Sequence, residues 1–144
     1  MSHAPRNPDY AETVRASFAL QAMMRTIGAE IVALAPGLVE IAAPIRPEFG
    51  QQQGMAHAGL TFSLGDSAAG YAALSLMAPG QEVVTSEMTI HLLAPATGTR
   101  LIARGEVVRA GKRLMVARAD VHAEQDGTRC HVATLLGTMV PVSA

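Results

Sequence analysis

Tryptophan is absent from this chain, aromatic residues amount to only 3% of it, and there is a single cysteine, Cys130. Each scarcity excludes something. One cysteine cannot close an internal disulfide, and without a Cys-x-x-Cys pair no zinc-binding spacing is present, so neither metal nor other cofactor is expected. Few aromatics, a net charge of −1 and scattered Lys and Arg leave no basic stripe or stacking platform for a nucleic acid. The start, MSHAPRNPDYAE, lacks the apolar run of a secretory signal. A reducing, cytoplasmic setting is therefore the expectation.

Aliphatic side chains are what the sequence has in plenty. Hydrophobic residues make up 49% of 144, enough for one domain whose core is built from Ala, Val, Leu, Ile and Met. Residues 1–9 read as a flexible arm and 10–144 as that single domain. The stretch 58–79 is rich in Ala, Gly, Leu and Ser and just long enough to cross a bilayer. Asp66 near its centre would cost about 2.5–3.5 kcal/mol there, which Ala, Gly and Ser do little to offset. It is expected to be a buried helix, and no membrane partner is expected.

From Tyr10 to Ile27 the apolar positions Val14, Phe18, Met23 and Ile27 recur at roughly helical spacing, with Gly28 as a stop. AEIVALAPGLVEIAAPI reads as a hairpin turning at Pro36-Gly37, and RPEFGQQQG as a polar loop. The loop leads into a helix from about Ala58 to Met77, ended by Pro79-Gly80. VVTSEMTIHLLAP sets Met88, Ile90 and Leu92 against Glu87, Thr89 and His91, the two-residue period of a strand. TRLIARGEVVRAG and KRLMVARADVHAE form a hairpin across Ala110-Gly111, and TRCHVATLLGTMVPV follows through Asp126-Gly127. Helix, two strands, long helix and four strands predict an α+β domain. Its six-stranded, mainly antiparallel sheet curls around one central helix, which explains why that helix is apolar on nearly every side.

Asp66 stands out chemically. One helical turn away lie Phe62, Ser63, Ala69 and Gly70, none of them a cation. Such a carboxylate is hydrated in a cleft, paired from another element, or raised in pKa. It either faces solvent or bonds to backbone in another element, or it forms part of a site. His57-Ala58-Gly59 bears on that choice, because the first turn of the helix presents backbone N–H groups without intrahelical partners at the positive end of its dipole. Such an end suits the oxyanion that forms when a nucleophile adds to a carbonyl. Carboxylate and oxyanion hole together make acyl transfer possible.

The pattern G-x-x-H-x-G-(x)₆-D, from Gly54 through His57 and Gly59 to Asp66 at the mouth of a long small-residue helix, resembles the hot-dog-fold acyl-CoA thioesterases, in particular the phenylacetate-degradation (PaaI-like) branch. The resemblance runs from about Ala22 to Val140 and includes the TIHLLAPA strand. It implies a hot-dog fold and hydrolysis of an acyl-CoA to free acid and coenzyme A. Asp66 would be the catalytic carboxylate, as base or nucleophile, and Ala58 would give the oxyanion-binding N–H. His57 would fix the loop and bond near the thioester, Thr85 would position water, and Gly54 and Gly59 would border the substrate. It also implies homodimers with two sites at the interface, assembling into homotetramers.

The chain departs from the family pattern in two places. Gln51 stands where Asn is usual, keeping the amide on a stem longer by one methylene. Ala58 stands where the first of two glycines is usual, keeping the N–H but not the freedom to adopt positive φ. These departures keep a second reading open, a non-catalytic acyl-CoA binding protein. A hydratase of this fold would carry His five residues after the aspartate, and Tyr71 stands there instead. A thiolate leaves easily, since a thiol has a pKa near about 8.5, so no Ser-His-Asp triad is required.

Arg109, Lys112 and Arg113 crowd one hairpin turn, either to meet coenzyme A phosphates or simply as a solvated turn. His122 and His131 could pair, though two histidines make no metal site. Cys130 has no helix terminus or base nearby and is expected to be inert. Leu, Met and Phe around the site would take an aryl or a medium aliphatic acyl group.

Overall fold

The computed structural model describes residues 2–144. Helices α1 (Tyr10–Leu20) and α2 (Ala22–Ile27) come first, then strands β1 (Glu30–Ala35) and β2 (Leu38–Pro44). A short 3₁₀ turn at Pro47–Phe49 opens the loop into helix α3 (Ala58–Leu74). Four strands complete the chain: β3 (Gln81–Leu92), β4 (Arg100–Ala110), β5 (Met115–Gln125) and β6 (Thr128–Ser143). They form one antiparallel sheet in the order β1-β2-β4-β5-β6-β3. This is the expected six-stranded sheet around a central helix.

Twelve of the seventeen residues of α3 are buried. Its small side chains are what let the sheet close on it. A Cβ on Gly105 of β4 would lie 2.2 Å from the Ala68 carbonyl oxygen, and one on Gly65 would lie 2.7 Å from Leu135. Strand and helix backbones meet where glycine leaves the space. Two hairpins turn as read: Gly37 has φ 76°, and Asp126 and Gly127 have φ 50° and 78°, the pair of positive values a two-residue hairpin loop needs. The third turns over residues 111–114 rather than across Ala110-Gly111, since Ala110 still pairs with Met115. The segment before α1 lies against the body, with Asn7 buried and His3 Nε2 3.3 Å from the Val107 carbonyl.

Three further details differ from the sequence reading. The first helix is two, broken at Gln21, whose ψ of 99° is extended. The break shifts the helical phase, so Met24 is buried while Met23 is exposed. No Gly or Pro marks it; the Gln21 side chain bonds Ser67 and Tyr71 on α3 instead. The central helix ends at Leu74 rather than Met77, where Ser75 donates to the Ala72 carbonyl and accepts from Gly37 N–H. Leu92 ends the edge strand β3 exposed, although Met88 and Ile90 do turn to the core.

The strand β3 also carries a register shift between Thr85 and Glu87. Alternation would otherwise put Val83, Thr85 and Glu87 on one face and Met88 and Ile90 on the other. The extra residue resets the parity. Thr85 thereby faces α3 from the same side of the sheet as Met88 and Ile90.

Candidate active site

That inward turn brings Thr85 to Asp66. The Thr85 hydroxyl donates to Asp66 Oδ1 at 2.7 Å and lies 3.3 Å from the Met139 sulfur. Asp66 has no ion-pair partner among the described residues. Burial pushes its pKa above the ordinary aspartate value, and the Thr85 hydrogen bond opposes the shift only in part. Asp66 opens into a cleft of about 470 Å³ between the α1–α2 break, the middle of α3 and the start of β3.

The other residues of the motif gather elsewhere. Gln51, His57 and Ala58 line a second cleft, also about 470 Å³, with Leu92, Leu93 and Val132 on its walls. His57 caps α3: its Nδ1 accepts from Gly59 N–H at 2.8 Å. The accepting nitrogen carries no proton, so the imidazole proton sits on Nε2. A Cβ on Gly59 would come within 2.9 Å of that Nδ1, so glycine is what the cap requires at this position. The Ala58 N–H has no acceptor among the described residues, as expected for the first position of a helix. Gln51 is braced within its own loop, its Oε1 accepting from the Gln53 N–H and its Nε2 donating to Gln53 Oε1 at 3.2 Å. Gly54, with φ 83°, makes the turn that follows.

Eight residues separate Ala58 from Asp66, about 12 Å of helix rise. Within one chain, then, the carboxylate and the free amide do not meet at one carbonyl group.

Lys112 and Arg113 sit on the β4–β5 turn and Arg109 just before it, and none of the three pairs with a carboxylate among the described residues. Other arginines are committed: Arg104 to Glu40 and Glu106, and Arg100 and Arg129 to Glu124. The turn lies in the cross-strand row of Thr85, since Thr85 pairs with Met139, Met139 with Met115, and Met115 with Ala110. At about 4.8 Å per strand, Met115 is roughly 10 Å from Thr85.

The sequence reading missed the polar lining beside Asp66. Ser17, Gln21, Ser67, Tyr71 and Glu82 border the same cleft. A faint signal existed: Ser67 and Tyr71 are four apart on α3 and so share one face of it, about 100° to 140° round the helix from Asp66. Away from the clefts, His122 and His131 stack with ring centroids 4.7 Å apart, and His131 Nε2 lies 3.1 Å from Asp120 Oδ1. Burial and the neighbouring His131 lower the His122 pKa. Among the described residues no three His, Cys, Asp or Glu side chains gather to hold a metal, and no helix is long and apolar enough to cross a membrane. Cys130 is a free, exposed thiol.

This geometry sits on a known scaffold. A thioesterase family protein from Silicibacter pomeroyi shares 43% identity, with 94% of this chain and 99% of that one covered and a TM-score of 0.92. The E. coli PaaI protein from the phenylacetic acid degradation operon has the same fold at 23% identity, covering 96% and 97% of the two chains with a TM-score of 0.85. A Bacillus halodurans protein, BH2602, whose structure was solved with CoA, matches at 27% identity over 93% and 84% of the chains, TM-score 0.76. No curated protein matches the chain. The sequence model of the thioesterase superfamily matches residues 53–130, which span the motif, α3 and the strands through the start of β6. The chain belongs to the thioesterase superfamily, and its fold is the hot-dog fold.

Proposed function

We propose that this protein hydrolyses acyl-CoA thioesters, with Asp66 of one copy acting on a thioester whose carbonyl oxygen is held by the Ala58 N–H of a second copy. The observation that carries this reading is Asp66 itself: a carboxylate open to a cleft, without a cation among the described residues, raised in pKa, and oriented by Thr85. Asp66 takes a proton from a water as that water adds to the carbonyl carbon. The oxyanion that forms is held at the start of α3, where the dipole and the free Ala58 N–H favour negative charge. Collapse expels the coenzyme A thiolate, which receives the proton back from Asp66. Direct attack by the carboxylate would instead expel the thiolate first and leave a mixed anhydride; ¹⁸O on Asp66 after a single turnover in labelled water, or thiol released ahead of free acid, identifies that route.

Two features support a second copy. The distance along α3 keeps Asp66 and Ala58 apart within one chain. Exposed aliphatic side chains also rim both clefts, Leu20 and Val84 at the first and Leu92 and Leu93 at the second. A dimer that sets the first cleft against the second buries both rims and completes two sites, and pairs of dimers give the tetramer. His57 Nε2–H is a further donor at the second cleft, and Gly54 and Gly59 let the loop approach the thioester. Arg109, Lys112 and Arg113, which pair with no carboxylate among the described residues, bind the coenzyme A phosphates. The setting is cytoplasmic.

Release of free thiol from a panel of short, long and aromatic acyl-CoAs tests the reading. Asp66→Asn should lower the rate by about 10²–10⁴, as loss of a general base does. The bracing of Gln51 on Gln53 favours one alternative, a binding protein without turnover, and the same assay reports it as no thiol released from any substrate.

A further inference from the structure

The chemistry at Asp66 and Thr85 leaves unexplained why the cleft beside them is polar. Ser67 donates to Gln21 Oε1 at 3.1 Å, which orients the Gln21 amide so that its Nε2 donates to the Tyr71 hydroxyl at 3.3 Å. Ser17 donates to the same hydroxyl at 3.4 Å. The Tyr71 ring is buried, edge-on to Phe18 with centroids 5.7 Å apart, so the hydroxyl is held in place from behind. The helical break at Gln21 is what turns that amide inward.

A tyrosine hydroxyl offers two acceptor positions and one donor. Gln21 fills one acceptor position, and only one of the two protons of the Ser17 and Tyr71 hydroxyls can lie in the bond that joins them, so the other has no acceptor among the described residues. The second N–H of the Gln21 amide has none either. Two unspent donors thus border the cleft, while Asp66 and Glu82 make it negative. Carboxylates repel an anionic acyl group, whereas donors without acceptors favour a neutral oxygen.

We propose that Gln21 and Tyr71 form a specificity element that binds a neutral oxygen, hydroxyl or keto, carried on the acyl group. Gln21 links the Tyr71 hydroxyl to Ser67, the neighbour of Asp66 on α3, so the oxygen is carried on the part of the acyl group that enters this cleft. The inference rests on the thioester reading of the same cleft and adds the chemical class of the acyl group.

The test uses three matched series of acyl-CoAs from butyryl to decanoyl length: plain, ω-hydroxylated and ω-carboxylated. Both kcat/KM and Kd are measured on the native protein, Tyr71→Phe and Gln21→Met. At one or more lengths the hydroxylated member should be preferred over the plain one by at least about tenfold, with the carboxylated member the poorest. In both variants the ratio of hydroxylated to plain should fall to near one. A native ratio below about threefold at every length overturns the proposal, as does a ratio that survives both substitutions. If no thioester is cleaved, the hydrolase reading fails, and the Kd ratios decide this proposal alone. A hydroxyl preference lost in the variants upholds it, and equal affinity or no binding overturns it.

Discussion

Thr85 reaches Asp66 from a bulged edge strand, its hydroxyl 2.7 Å from Oδ1, and nothing cationic pairs with that carboxylate among the described residues. The fold thus holds a charge under partial desolvation with one hydrogen bond to offset it. Between the ordinary aspartate value of 3.8 and its raised pKa, the folded chain keeps a proton that the unfolded chain releases. By linkage, this group's contribution to stability falls as pH rises through that window, and the cost is complete above it.

Asp66→Asn should therefore melt at a higher temperature than the native protein at neutral pH. The amide keeps an oxygen to accept from Thr85 and carries no charge to desolvate. The difference should disappear below the ordinary aspartate pKa, where both states of the native protein are protonated. Calorimetry of the two proteins across pH checks the sign. A native protein more stable than the variant at neutral pH would mean that the carboxylate has a stabilising partner.

Thr85→Val, nearly equal in volume, removes the donor. Charge on Asp66 is then less favoured, and the acid limb of kcat/KM should move to higher pH. Loss of one oriented hydrogen bond to the carboxylate, about 1.5–3 kcal/mol, predicts a fall in activity of roughly 10–100-fold. Thr85→Ser should keep the native pH profile.

Gly105→Ala tests how the helix is enclosed. The new methyl would collide with the Ala68 carbonyl, and backbone cannot yield as a side chain can. Overpacking of this kind costs about 1–3 kcal/mol, sometimes more, so a clear drop in melting temperature is expected. The same change at Gly80, where the added Cβ meets nothing within 4 Å, separates contact from backbone strain, since Gly80 has φ 77°.

Gln51→Ala should lower kcat with KM little changed, the pattern of an interaction made mainly in the transition state. Gln51→Asn should retain activity. Gln53→Ala frees the Gln51 amide from its brace. If Gln51 acts on the substrate, that variant keeps activity, and if Gln51 acts only by holding the loop, both alanine variants lose it together.

Much of this is legible in the sequence. Strand alternation, the Pro36-Gly37 and Asp126-Gly127 turns and the small-residue helix gave the sheet and what it wraps. Asp66 declared itself as a charge without a partner on its own helix. The break at Gln21 was hidden because its cause is not local: no Gly or Pro interrupts the chain, and the side chains that hold it are 46 and 50 residues away. For the same reason the polar lining of the cleft was not foreseen. The aim of Thr85 depends on a bulge, which a period-two pattern does not reveal. The placing of Asp66 and Ala58 in different clefts follows from helical rise alone and could have been read from their spacing.

The most direct test of the composite site uses two inactive variants. Ala58→Pro deletes the proposed oxyanion N–H at the first position of a helix, where proline fits, and His57 before it is already extended, with ψ 141°. Asp66→Asn deletes the carboxylate. In a mixed dimer, the Asp66 of the first variant meets the Ala58 N–H of the second, restoring one site of two. Random pairing makes about half of the dimers mixed, so about a quarter of native activity should return when the two are co-refolded in equal amounts. Mixed dimers, isolated on two affinity tags, that release no more thiol than either variant alone would contradict the account.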